Sequence, residues 1–214
     1  MPYDITRRFE SALCEYTGAK YAVAVNSCTA ALLLAVEWYG YKEINDAKAN
    51  GAGMIPLLKP VTIPKNTYVS VPQAIIRAGR KVFFDDRKWK GSYRLTPLPV
   101  FDAARMFTSG MMAFMDGAMM CVSFAASKIL GAEQGGAILH DNRDADAWFR
   151  RMRFDGRTEG VDPLEDTFDL IGHHCLMIPS VAATLLVRLH HLPKHNADLG
   201  PYEYPDLSKH PAFK

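Results

Sequence analysis

Three short segments of this 214-residue chain set reactive side chains directly after apolar runs. YAVAVN (21–26) runs into Ser27, Cys28 and Thr29. LPVFD (98–102) ends in Asp102. MMCVSF (119–124) carries Ser123, and Lys128 follows five residues later in FAASKILG. A lysine amine serves as a nucleophile or proton carrier, and an aspartate as the acidic partner of a cationic group. Small hydroxyl residues at a helix start add donors to backbone N–H groups that, with the helix dipole, favour an anion. Each has an ordinary reading when taken singly. Lys128 would be a solvated surface charge. Asp102, Ser27 and Thr29 would be helix caps, and capping uses the same N–H groups that bind an anion.

The elements that must position these residues follow from periodicity. Ile5, Phe9, Leu13 and Tyr16 share one helical face, with Asp4 as a cap and Gly18 as a stop. After the strand 21–26, SCTAALLLAVEWYG (27–40) reads as a helix apolar on nearly all sides, ended by Gly40. VTIP (61–64), KVFFDD (81–86), 98–102, 119–124 and GGAILHD (135–141) read as strands. Residues 68–79, with Pro72 near the first turn, 144–154, and 179–192, opened by Pro179, read as helices. The expectation is one α/β domain over 1–192, with a mostly parallel sheet flanked by helices, and an irregular Pro-rich extension over 193–214. In such sheets ligands collect beyond the carboxyl ends of the strands.

Composition narrows the classes. The chain is 49% hydrophobic and 22% charged, with 25 basic against 23 acidic residues, a formal charge of +2. A balanced chain without basic clusters argues against nucleic-acid binding and against a polybasic membrane anchor. The longest apolar run, 29–36, is far short of the ~20 residues of a membrane span. Charges near the N-terminus exclude a secretory leader. Cys14, Cys28, Cys121 and Cys175 lack metal or redox spacing and read as reduced cytoplasmic thiols. Pro193 breaks the helix that would align His190, His191 and His195, so no metal is expected. The methionines at 106, 111, 112, 115, 119 and 120 read as core or interface filler.

Five segments in order, VAVNSCTAAL, IPKNTYVSVPQAIIRAGRKVFFDD, VFDAARMF, VSFAASKILGAEQGGAIL and GHHCLMIPSVAATLLVRLHHL, resemble successive blocks of the DegT/StrS-type aminotransferases. The resemblance runs from about Phe9 to Leu192. It implies the large domain of a fold-type-I enzyme dependent on pyridoxal 5′-phosphate (PLP), without a full small domain. Lys128 resembles the family's Schiff-base lysine and Asp102 the aspartate on the ring nitrogen. Ser27, Cys28 and Thr29 resemble the phosphate turn, with Ser123 as a further phosphate contact. Tyr68 sits where an aromatic covers the ring, and Arg105 where glutamine or histidine lies near the ring hydroxyl. His174 stands where an asparagine reaches across a dimer to the partner's phosphate.

The resemblance further implies a homodimer with shared active sites, L-glutamate as amino donor and a keto sugar, nucleotide-linked, as acceptor. A sugar dehydratase on the same scaffold and a non-catalytic scaffold subunit are the alternatives. Lys128 disfavours the first, since histidine typically replaces it there, and the Asp102–Ser123–Lys128 set disfavours the second. The chain departs from the family at Cys28, usually glycine, at Ala125, often histidine, and at Leu176, commonly arginine. The connection between FFDD and VFDAARMF is short where the family inserts a strand and a helix. No sizeable C-terminal domain follows Leu192.

Overall fold

Alternation along the strand Tyr21–Val25 (β1) divides the molecule into two cores. Val23 and Val25 enter one with Leu32, Leu34 and Phe149, whereas Ala22 and Ala24 enter another with Phe9, Leu13 and Leu185. A strand buried on both faces requires helices on both faces. Cys28–Ala49 (α2), Ser70–Arg77 (α3) and Arg143–Met152 (α4) cover the first, and Asp4–Thr17 (α1) and Pro179–His191 (α5) cover the second. These elements belong to a computed structural model that describes residues 3–51, 53, 54, 56–200 and 203–213.

The central sheet has five strands. Gly136–His140 (β7) lies antiparallel between β1 and Met119–Ser123 (β6); Val100–Asp102 (β5) runs parallel to β6; Tyr93–Arg94 (β4) pairs antiparallel with β5. Val61–Pro64 (β2) and Val82–Asp85 (β3) form a separate parallel pair. An antiparallel bridge between Thr62 and Thr96, with N–H···O distances of 2.7 and 3.1 Å, joins the two sheets.

The sheet is therefore mixed, and the expectation of a mostly parallel one is corrected. A parallel pairing needs a crossover of a dozen or more residues, usually a helix. Only five residues separate β4 from β5, so that pair returns antiparallel. The helix-free connection 124–135 also returns β7 antiparallel to β6, whereas the equally helix-free 103–118 carries the chain across to a parallel β6. The feature that matters for a ligand survives: β1, β2, β3, β5 and β6 point the same way, and their carboxyl ends share one edge of the molecule.

The free edge of β1 is closed by side chains. Glu10 of α1 is 3% exposed, and its Oε1 accepts the Ala24 N–H at 2.9 Å. Arg153, 1% exposed, donates to the Ala24 carbonyl at 2.6 Å and to Glu10 Oε1. Arg150 reaches Glu10 Oε2 at 2.8 Å. Both backbone groups of a buried edge residue thus find partners.

Two helix boundaries differ from expectation. Asp4 is not the cap of α1 but its first residue, following Tyr3. A carboxylate in the first turn still favours the helix dipole. Gly40 does not end its helix, which continues nine residues to Ala49. Glycine inside a helix costs about 1 kcal/mol against alanine. A Cβ on Gly40 would meet Leu58 Cδ1 at 3.2 Å, so the residue serves close packing rather than termination. Met111, Met112, Met119 and Met120 are core residues, each 7% exposed or less.

Past α5 the chain folds back on the strand ends. Leu199 N–H bonds to the Arg105 carbonyl and Leu207 N–H to the Lys65 carbonyl, both at 2.9 Å. Asn66 Nδ2 donates to the Tyr204 carbonyl at 2.9 Å, and Leu207 is 2% exposed. Short 3-10 turns follow at Leu207–Lys209 and Pro211–Phe213. Pro201, Tyr202 and Lys214, part of the expected extension, lie outside the described residues.

Candidate active site

β1 hands the chain to α2 through Asn26 and Ser27. Ser27 caps the helix, its Oγ accepting the Ala30 N–H at 3.1 Å and its O–H donated to Asn26 Oδ1 at 3.3 Å. The first N–H groups of a helix have no acceptor within it. Cys28 and Thr29, which carry them here, line a cavity of about 460 Å³ at the shared edge of strand ends. The Thr29 hydroxyl donates to Ser70 Oγ at 2.8 Å, tying α2 to α3. A Cβ on Gly136 would lie 2.5 Å from Cys28 N, so only glycine lets β7 pass behind this turn.

Asp102 closes β5 at the cavity wall, 4% exposed. Its Oδ1 accepts the Ala104 N–H at 2.9 Å and its Oδ2 the Tyr93 hydroxyl at 3.0 Å. The Tyr93 proton is thereby spent, so Thr67 Oγ1, 2.5 Å away, is the donor to Tyr93. Burial pushes the Asp102 carboxyl above its ordinary range, while the Ala104 N–H, Tyr93 and Lys128 pull it down. Among the described residues Asp102 makes no ion pair. A buried carboxylate in that state favours a cationic group entering the cavity.

Lys128 lies in the turn after β6, half-buried, its N–H bonded to the Ala125 carbonyl at 2.9 Å. Burial, and then the Arg105 guanidinium, hold its ammonium below the usual lysine value. The Cys28 thiol is shifted the other way, well above its ordinary range, by burial and then by Asp102. It is a neutral thiol, and it donates to the Cys121 carbonyl at 3.5 Å. A thiol so held is not a nucleophile.

Eight of the nine residues singled out in the sequence line this one cavity: Ser27, Cys28, Thr29, Tyr68, Asp102, Arg105, Ser123 and Lys128. His174 does not. It is exposed on the loop before α5, with Nδ1 3.0 Å from Asp155 Oδ2. The structure adds residues that sequence reasoning passed over: Thr67, Trp89, Glu133 and Tyr204 also line the cavity, and Tyr93 stands behind Asp102. Trp89 lies in a connection read only as polar, and Tyr204 in a segment read as irregular. The aromatics of YEYPDL were the available signal. Among the described residues, no group of three or more His, Cys, Asp or Glu could hold a metal. No helix there is long and apolar enough to cross a membrane, and all four cysteines are free.

The chain is similar to known proteins in sequence and fold. The sequence model of the DegT/DnrJ/EryC1/StrS aminotransferase family matches residues 1–115 and 100–198. UDP-4-amino-4,6-dideoxy-N-acetyl-beta-L-altrosamine transaminase of Campylobacter jejuni subsp. jejuni serotype O:23/36 (strain 81-176) is 39% identical over 84 residues, which are 39% of this chain and 18% of that protein. Helicobacter pylori PseC, an aminotransferase involved in the biosynthesis of pseudoaminic acid, superposes with a TM-score of 0.66 at 19% identity. That alignment covers 89% of this chain and 58% of PseC. The Bacillus subtilis NtdA structure, which holds the cofactor PMP, gives 0.66 at 16% identity over 88% of this chain and 48% of that one. The chain spans less than two thirds of each of these relatives.

Proposed function

This chain belongs to the DegT/DnrJ/EryC1/StrS aminotransferase family, and on that premise we propose that its cavity binds PLP and transfers an amino group from L-glutamate to a keto sugar, nucleotide-linked. The observation that carries this reading is the meeting, in one cavity, of a helix N-terminus, a buried carboxylate that makes no ion pair among the described residues and an amine of lowered pKa. Those three groups match the phosphate, the ring nitrogen and the aldehyde of PLP. When bound, the cofactor supplies a carbonyl for amine exchange and a cationic ring that draws electrons from the bond being broken.

The chain's own residues have separate tasks. The N–H groups of Cys28 and Thr29 and the hydroxyl of Ser123 would hold the phosphate, while the Thr29 hydroxyl is engaged by Ser70. Ser27 contributes chiefly by capping, since both functions of its hydroxyl are engaged within the turn. Asp102, steadied by Tyr93 and Ala104, would keep the ring nitrogen protonated. Tyr68 would cover one face of the ring. Lys128 would anchor the cofactor, then take the Cα proton of the donor and return it as base and acid.

The UDP-linked sugar in the name of the Campylobacter relative supports a nucleotide-linked acceptor. His174, exposed outside the cavity, is available to a second subunit, which supports a homodimer with shared sites. Four unpaired thiols fit a cytoplasmic enzyme.

The test is an absorbance titration of the purified chain with PLP, followed by L-glutamate. A yellow band that disappears with glutamate, together with release of one 2-oxoglutarate per site, supports the reading. A chain that takes up no PLP overturns it. The Arg105 guanidinium also sets a pH dependence. It lowers the Lys128 pKa, and the neutral amine is the reactive form. Arg105→Ala is expected to raise that pKa and move the pH profile of PLP capture to higher pH. An unmoved profile would show that burial alone tunes the amine.

A further inference from the structure

Trp89, Arg105 and Tyr204 line a second cavity as well as the first, and this neighbour measures about 350 Å³. Its charge is set by the connection between β3 and β4. Arg87, Lys88 and Lys90 line it against the carboxylate of Glu203, with Arg105 at the junction of the two hollows. Lys88 and Lys90 are exposed and make no ion pair among the described residues. Arg87 is held in place by the Thr62 carbonyl at 2.8 Å and Thr96 Oγ1 at 3.3 Å, beside Asp85 at 3.1 Å.

Hydrogen bonds and ring contacts tie the wall between the hollows together. Trp89 Nε1 donates to the Asn66 carbonyl at 2.9 Å, and its ring stacks on Tyr204 with centroids 6.1 Å apart and planes 13° apart. Tyr204 in turn meets Tyr68 edge-on at 6.2 Å. Arg105 is fixed by two bonds to the Gly200 carbonyl, at 3.0 and 2.6 Å. A concave site with cationic groups on one side and aromatic rings on the other strengthens the attraction of an anion beyond that of scattered surface lysines.

We propose that this second cavity receives the phosphate end of the acceptor, an organic phosphate or diphosphate ester, while the Trp89–Tyr204 wall keeps that end apart from Lys128. The inference rests on the aminotransferase reading for the reaction, and it adds where the acceptor is gripped. The grip comes from Lys88 and Lys90 of the β3–β4 connection, with Arg105 at the junction and Tyr204 in the wall.

Calorimetric titration of the full chain, saturated with PLP, with uridine 5′-diphosphate (UDP) tests it. The wild type is expected to bind UDP, with inorganic pyrophosphate competing and uridine alone not binding. The double substitution Lys88→Ala/Lys90→Ala is expected to weaken UDP about tenfold, with an unchanged far-ultraviolet spectrum, since both side chains are exposed. The proposal is overturned if the wild type fails to bind UDP, if the double variant binds it equally well, if uridine binds as tightly as UDP, or if UDP binds only when PLP is left out. UDP affinity does not depend on turnover, so the two readings separate. A chain that loses its yellow band with glutamate but ignores UDP would sink the subsite alone. One that binds UDP through the lysines but takes no PLP would sink the reaction alone.

Discussion

Lys128→Ala is expected to lower the rate of glutamate-dependent amino transfer by at least about 10³-fold, within the span general acid–base groups contribute. The argument is positional. Lys128 is the lysine lining the cavity that holds Asp102 and the start of α2, and its depressed pKa makes the neutral amine available. The alanine variant should also lack the yellow band when mixed with PLP. Lys128→Arg keeps a positive charge but cannot act as the nucleophile, and it should lose as much. Partial recovery of rate by a small exogenous amine would tie the loss to the missing group rather than to misfolding. A Lys128→Ala enzyme within tenfold of wild type would show that another residue carries the proton.

The second large effect lies away from the cavity. Glu10→Gln removes the charge facing Arg153, Arg150 and Arg7 at a site where the carboxyl is 4% exposed. Removing one partner of a buried pair costs about 3–5 kcal/mol when the other charge is left unanswered. Glu159 still pairs with Arg153 at 2.9 Å and Asp146 with Arg150 at 2.7 Å, so the lower end, about 3 kcal/mol, is expected. For a domain of this size that corresponds to a fall in Tm of roughly 6–12 °C. Combining it with Arg153→Met should recover part of the loss, since the two residues share one interaction. A fall of less than about 1 kcal/mol in denaturant unfolding would mean that water reaches the pair. The position also bears on the site. Glu10 and Arg153 hold both backbone groups of Ala24, three residues before the turn at Ser27.

Much of the site was legible because its residues sit directly after strands whose apolar runs are unmistakable. YAVAVN, LPVFD and MMCVSF announce both the strand and the side chain it delivers. The direction of β7 was not legible, since GGAILHD is equally apolar in either sense and helix-free connections precede both the parallel β6 and the antiparallel β7. Gly40 misled because a glycine required for close packing looks like a glycine that ends a helix. Tyr204 and Trp89 were hidden for a different reason. They meet across more than a hundred residues, and a local pattern carries no trace of a contact that only tertiary folding creates. The Glu10–Arg153 pair, 143 residues apart, is the same case.

The bridge between Thr62 and Thr96 places the cavity across a joint. Thr67 and Tyr68 follow β2 of the small sheet, whereas Asp102, Ser123 and Lys128 follow β5 and β6 of the large one. Elements joined by few backbone bonds open at lower free energy than a central sheet, and their amides exchange with solvent sooner. A ligand that touches both sides of the joint adds its binding energy to the closed form alone, about 2.7 kcal/mol at a concentration of 100 times Kd. Cofactor loading would then slow exchange most in β2 and β3, the strands of the small sheet. The small sheet would thus report, by its protection, on an occupancy decided across the joint.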